Sequence, residues 1–175
     1  MTPSIRYSAD PRYDDTRAIR CLRSLARDHP EDIEEGFGDA LLERLKVEDS
    51  DRIKAVTGCL VELAAHDPET MVSATPTLSA LLDVDNTTIQ QNAIYILSRI
   101  AEDHPEEVKP VIPQLTIDIQ ERDENYQTNA LTTLGRVASH YPGAVGAITE
   151  DLAALTASDV PKVAANAGAL LADIA

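Results

Sequence analysis

The sequence predicts an all-α fold, a right-handed solenoid of stacked antiparallel helix pairs. Three observations predict it. First, one motif keeps returning: "LRSLARDHPEDIEEGF" at 22–37, "LVELAAHDPETMVSATPTL" at 60–78, "LSRIAEDHPEEVKPVIPQL" at 97–115 and "LGRVASHYPGAVGAITEDL" at 134–152. Aligned on Ala26, Ala64, Ala101, Ala138 and Ala175, the copies step by 38, 37, 37 and 37 residues. A fixed period of this size marks a stacked-repeat architecture. Second, the apolar columns within a copy follow helical spacing. Third, the chain has one Phe, no Trp and five Tyr among 175 residues, so its core is aliphatic, as closely packed helices favour.

The elements follow in chain order. Residues 1–11 form a lead and residues 12–28 an unpaired half repeat. Helix pairs then occupy 31–66, 69–103, 106–140 and 143–175, about nine helices in all. The second helix of each pair carries Ala18, Val56, Ala93, Ala130 and Ala167; Leu22, Leu60, Leu97, Leu134 and Leu171; and Leu25, Leu63, Ile100, Val137 and Ile174. With the alignment alanines these fall at i, i+4, i+7 and i+8, one buried stripe. A first helix fits between each proline and the next stripe, on Met71, Ala74, Thr75, Leu78 and Leu82, on Val108, Val111, Ile112, Leu115 and Ile119, and on Val145, Ile148, Leu152 and Leu155.

The punctuation agrees. Pro30, Pro68, Pro105 and Pro142 suit a first helical position, and Glu31, Glu69 and Glu106 suit the positive helix end behind it. The residue before each proline, His29, Asp67, His104 or Tyr141, is biased out of the helix, which ends the preceding one. The linkers "KVEDSD", "DVDNT", "ERDEN" and "TASDVP" offer Asp, Ser and Asn caps.

These copies resemble HEAT repeats, with armadillo character, over nearly the whole chain. Pro76 and Pro113 match the family's proline inside the first helix, where Gly38 and Glu150 stand in other copies. Asp51, Asp85, Asp123 and Asp159 match its acidic residue in the turn within the repeat. The family's hydrophobic-Arg pair is replaced by Ile89-Gln90, Tyr126-Gln127 and Val163-Ala164, and the Gln is nearer the armadillo form. The 34-residue period and aromatic signature of tetratricopeptide repeats are missing, as is the ankyrin "TPLH". The resemblance implies a scaffold that binds a partner protein or peptide on the concave face formed by the second helices. It also admits HEAT-like enzymes, of the bilin-lyase or alkylpurine DNA glycosylase kind, or a purely structural spacer.

Charge narrows the partners. The formal net charge is −15, from 30 acids against 15 bases. Such a field repels nucleic acid and acidic membranes. The first 30 residues are +2 and the rest −17. Arg20, Arg23 and Arg27 share one face of the first helix. That face either docks an acidic partner, another copy's acidic surface included, or is solvated. Few lysines on an acidic chain rich in Ala and Thr resemble proteins of salt-loving archaea, where salt screens the carboxylates. No apolar run approaches the ~20 residues that cross a bilayer, and no signal peptide opens the chain, so a soluble cytoplasmic protein is expected.

Candidate residues follow from these patterns. Tyr95 and Arg99 are read on the inner face, with Arg20 and Arg23 in its rows and Arg27 on the basic face of the first helix; with Arg136, all six are candidates for partner binding. The rows Arg20, Gly58, Tyr95, Thr132, Ala169 and Arg23, Val61, Ser98, Gly135, Ala172 are mostly small. They form either a smooth groove or simply the room that tight curvature needs. Asn92, Asn129 and Asn166 either hydrogen bond across to the adjacent repeat, the favoured reading, or form a ladder of amides that holds an extended peptide. The histidines of the proline turns are read as helix caps rather than metal ligands, because each turn offers two ligands and neighbouring helices are ~8–10 Å apart. Cys21 and Cys59, one repeat apart, are read as partly buried free thiols. No catalytic constellation, cofactor motif or metal site is expected. The last helix, "ALLADIA", lacks a polar outer face, which suggests a longer array or self-association through that end.

Overall fold

A computed structural model describes residues 16–34, 36–46 and 49–174. The lead 1–11, residues 12–15 of the half repeat, and Ala175 lie outside the described residues. The helices run α1 (Thr16–Asp28), α2 (Phe37–Glu43), α3 (Ser50–His66), α4 (Thr75–Ala80), α5 (Thr87–Asp103), α6 (Pro105–Val108), α7 (Ile112–Thr116), α8 (Glu124–His140), α9 (Thr149–Leu155) and α10 (Pro161–Asp173). Among the described residues there is no strand, and no helix is long and apolar enough to cross a membrane.

The helices sort into two layers. The second helices α1, α3, α5, α8 and α10 pack side by side in chain order. Their stripe is sealed in the inner repeats: Val56, Leu60, Ala64, Ala93, Leu97, Ile100, Ala101, Ala130, Leu134 and Val137 are fully buried. It loosens at the ends, where Ala18, Leu22 and Leu25 on α1 and Leu171 and Ile174 on α10 are half-buried. The first-helix columns are buried as read, from Met71 and Leu78 to Val108, Leu115, Ile119, Val145 and Leu152.

The first helices are not continuous rods. Short 3-10 turns at Pro68–Ala74, Leu81–Asp83, Lys109–Val111, Ile119–Glu121, Pro142–Ala144 and Gly146–Ile148 interrupt α4, α6, α7 and α9. Pro76, Pro110 and Pro113 each stand near the start of a new segment. A proline cannot donate to an i−4 carbonyl, so the ladder restarts there in the tighter form. The second helices hold no interior proline and run 17 residues in α3, α5 and α8.

Each proline turn closes the same way. The residue before the proline leaves the helical region, with φ between −143° and −127°. The backbone N–H groups of His29, Asp67, His104 and Tyr141 donate to the carbonyls of Leu25, Leu63, Ile100 and Val137 at 2.7–2.9 Å. This corrects one expectation: none of these four side chains caps the helix that follows. The main chain already does the work, because the proline itself needs no partner for a missing N–H.

Candidate functional site

The candidate site is the exposed side of the second-helix layer, where α1, α3, α5, α8 and α10 pack in order. Each helix enters it from a capped turn. Asp49 accepts from the N–H groups of Asp51 and Arg52, Asn86 from Ile89, and Asp123 from Asn125 and Tyr126. These caps step by the repeat period. Of the acidic column read from sequence, Asp123 caps a helix and Asp51 and Asp85 do not, because the cap must directly precede the first turn. At the last copy Val160 has no side chain to cap with, and Pro161 presets the first turn instead.

Two glutamines join the layers. Gln90 donates through Nε2 to the carbonyls of Leu82 (3.2 Å) and Val84 (2.9 Å). Gln127 does the same to Ile119 (3.0 Å) and Gln120 (3.2 Å). Each adds a donor to carbonyls at the end of the first helix, two of which, Val84 and Ile119, also accept from the backbone N–H groups of Asn86 and Arg122. Beside Gln127, Tyr126 is fully buried and donates to the Leu115 carbonyl at 3.4 Å. Burial pushes its phenol up to about 12; Arg122, over the ring at 5.0 Å, works against that rise.

On the exposed side, Tyr95 is half-buried on α5, with Gln91, Asn92 and Arg99 around it. Their polar ends reach neighbouring repeats. Gln91 donates to Asp123 on the following turn (2.9 Å), and Asn92 to Thr57 of α3 (3.0 Å). Arg99 reaches back to the Ala64 carbonyl (3.4 Å) and pairs with Glu102 (2.6 Å). Arg136, one period on, donates to the Ser98 carbonyl, to Ser98 Oγ (3.0 Å) and to Glu102 (3.1 Å). Both arginines therefore converge on one carboxylate. Their side chains are 30% and 28% exposed against 45% for Glu102, so the pair is only partly screened by water.

The asparagine column divides. Asn92 crosses to the adjacent repeat as expected, but Asn129 donates to the Asn125 carbonyl of its own helix (3.0 Å). The place that Thr57 fills for Asn92 is taken one repeat on by Ile94, which has no group to accept from Asn129. The small-residue rows are also uneven: Gly58 and Ser98 are buried, Val61, Thr132 and Gly135 half-buried, and Ala169 and Ala172 exposed.

At the basic end, Arg20, Arg23 and Arg27 are exposed on α1. Arg23 crosses to Glu62 of α3 at 2.9 Å, passing over Gly58, where an added Cβ would lie 3.1 Å from its guanidinium. Arg27 pairs with Asp28 at 3.0 Å, which raises the guanidinium and holds the Asp28 carboxyl below its usual range. Much of the positive charge of this face is thus answered within the chain.

The other candidate groups lie away from this face. Cys21 and Cys59 are free thiols, but Cys21 is exposed and Cys59 fully buried. Burial pushes Cys59 up to about 12. Their equivalent positions are not equivalent surroundings: α1 covers Cys59, and no described helix precedes α1 to cover Cys21. The first proline turn brings His29, Glu31 and Asp32 within 4.8 Å of one another, three groups where the sequence suggested two per turn. All are exposed, and Glu31 is held below its usual range first by its own backbone N–H, then by His29.

With this geometry in hand, the comparisons with known proteins speak to fold alone. No protein-family model matches the chain, and no curated protein matches it. Solved structures do. A crystal structure of an engineered protein from the Northeast Structural Genomics Consortium has a TM-score of 0.78 at 24% identity, over 95% of this chain and 75% of that one. A computationally designed armadillo repeat protein for modular peptide recognition has a TM-score of 0.77 at 20% identity, over 90% of this chain and 74% of that one. A designed armadillo repeat protein in complex with the peptide (KR)4 has a TM-score of 0.76 at 18% identity, over 95% and 82%. The fold is an armadillo-like α-solenoid. Tyr95, Arg99 and Arg136 stand on the second helices α5 and α8, and Arg20, Arg23 and Arg27 on α1.

Proposed function

We propose that the chain is a non-catalytic scaffold that holds an extended peptide segment of a partner protein along its second-helix face. One observation carries this reading. The polar side chains of that face are already tied to neighbouring repeats, Gln91 to Asp123, Asn92 to Thr57, Arg136 to Ser98 and Glu102. The face is therefore pre-organised, and a segment laid on it orders little protein as it binds. Tyr95 supplies an amphipathic anchor in the middle.

The ligand's charge follows from the chain's. With a net charge of −15, and with Arg99 and Arg136 answered by Glu102, the field favours a Lys/Arg-rich segment over nucleic acid. A designed armadillo repeat protein of similar fold, solved in complex with the peptide (KR)4, supports this choice of ligand. Free thiols suit the cytoplasm, and the acidic surface suits high salt, where melting temperature should rise with KCl.

The test is fluorescence anisotropy with labelled (KR)4 and an acidic peptide of equal length. The basic peptide should bind, Tyr95→Ala should weaken it about tenfold, equal to about 1.4 kcal/mol, and Pro76→Ala on the opposite layer should not. Equal binding of both peptides, no binding of either, or indifference to Tyr95→Ala would remove this reading.

A further inference from the structure

Two grooves of the first-helix layer lie one period apart and differ in size. The earlier one holds about 500 Å³, with Glu69, Val72, Ser73 and Pro76 on one wall and His104 and Glu107 on the other. The later one holds about 700 Å³. Its first wall repeats the same positions 37 residues on, as Glu106, Lys109, Pro110 and Pro113. Its second wall has Ala144 where the earlier groove has Glu107, with Ala147 and Asp151 beyond. Ile112 and Ile148, both buried, give it an apolar floor. The extra room comes from the second wall. Gly143 and Gly146 stand where the copy before has Glu106 and Lys109. Neither has a positive φ, and a Cβ added at either would meet nothing within 4 Å. Backbone conformation and packing therefore do not require glycine at these positions. With Ala144 and Ala147, they leave residues 143–147 without a long side chain, and the one branched residue among them, Val145, is buried.

We infer that this larger groove takes an apolar side chain of a partner protein, flanked in the partner by Lys or Arg. The floor and the rim together define that chemistry. Glu106 and Asp151 place a carboxylate on each wall. Asp151 accepts from Gln120 at 3.0 Å, and Glu106 Oε1 lies 3.7 Å from His104 Nδ1. The ammonium in the lining, Lys109, is engaged by the Tyr141 ring, 4.9 Å from its centre. Lys or Arg on either side of an apolar residue meets the two carboxylates while that residue covers Ile112 and Ile148. A purely basic segment would leave the floor uncovered, and a plain hydrocarbon would leave the carboxylates without a counter-charge. The space is an open groove, so it admits a side chain still attached to its own main chain. Ile117 follows Thr116 of the lining and is the large apolar side chain left exposed, at 45%, among the described residues, which extends the apolar contact.

Titration of the isotope-labelled chain with the capped peptide Lys-Lys-Leu-Lys-Lys, followed by NMR, tests this. The amide signals of Gly143, Gly146 and Ala147 should shift and saturate. The same peptide with alanine in place of leucine should bind about tenfold more weakly, and one with glutamates in place of the lysines should not shift these signals. Ala147→Lys, at an exposed position, should abolish the shifts with the melting temperature unchanged. Asp151→Asn keeps an acceptor for Gln120 and should weaken binding about threefold, with a shallower dependence on salt. Unmoved amides at 143–147 would overturn the proposal. So would equal binding of the leucine and alanine peptides, or binding indifferent to Ala147→Lys. Shifts confined to α5 around Tyr95 would also overturn it while leaving the second-helix reading intact. Tyr95→Ala, on the opposite layer, should leave the groove's affinity unchanged, so the two sites stand or fall separately.

Discussion

The two layers of this solenoid share one period and solve it differently. The second helices run unbroken for 17 residues in each inner repeat, from an Asp or Asn cap to a proline turn. The first helices are assembled from short α and 3-10 pieces around Pro76, Pro110 and Pro113. The broken layer depends on the continuous one: Gln90, Gln127 and Tyr126, all on second helices, satisfy carbonyls of the first. The difference teaches where stability resides. A backbone that cannot complete its own ladder survives if a neighbour supplies the donors.

That asymmetry can be broken most forcefully at Tyr126. Tyr126→Ala removes a fully buried ring and the donor to Leu115, and should cost about 3–5 kcal/mol in urea unfolding. A cost below 1 kcal/mol would mean that the second layer does not hold the first. Next comes alkaline pH. The folded Tyr126 and Cys59 are both raised to about 12, from 10.0 and 9.0. Their stabilisation is full below the unfolded values and is lost as pH climbs through the folded ones, because the unfolded chain releases its protons first. Melting temperature should therefore fall between pH 9 and 12, with roughly 2–3 kcal/mol from Tyr126, and Tyr126→Phe should flatten the decline.

Gln127→Ala sharpens the comparison more gently. It removes a donor from the Gln120 carbonyl and leaves Ile119 with the Arg122 N–H (3.4 Å), and should cost about 1 kcal/mol. The smallest effect is expected within the broken layer itself. Pro113 is exposed at the start of α7, so Pro113→Ala should change stability by less than about 0.5 kcal/mol. A loss as large as that of Gln127→Ala would place the first layer's stability in its own prolines and reverse the argument.

Much of the fold was legible because it is periodic. The columns through Leu60, Leu97 and Leu134, the first-helix residues from Met71 to Leu155, and the four proline turns all lie where spacing put them. Capping was legible only in part. Each linker offers several Asp, Ser or Asn residues in a row, so the sequence located the caps to the linkers, and which residue caps (Asp49, Asn86, Asp123) depends on where the helix starts. The inner face was the least legible. Arg136 and Glu102 are 34 residues apart, and nothing within either helix announces their meeting.

By itself, the sequence determined the period, the two kinds of helix, the stripe each buries and the places where the chain turns. Those follow from local rules: a proline's missing N–H and the 3.6-residue turn. The tertiary structure alone decided that Arg99 and Arg136 share Glu102, that Asn92 crosses to Thr57 while Asn129 stays on its own helix, and that Cys59 is sealed while Cys21 is exposed. Each of those outcomes depends on how one helix is rotated and offset against the next, and on whether a next helix is there. A single helix's pattern contains neither quantity.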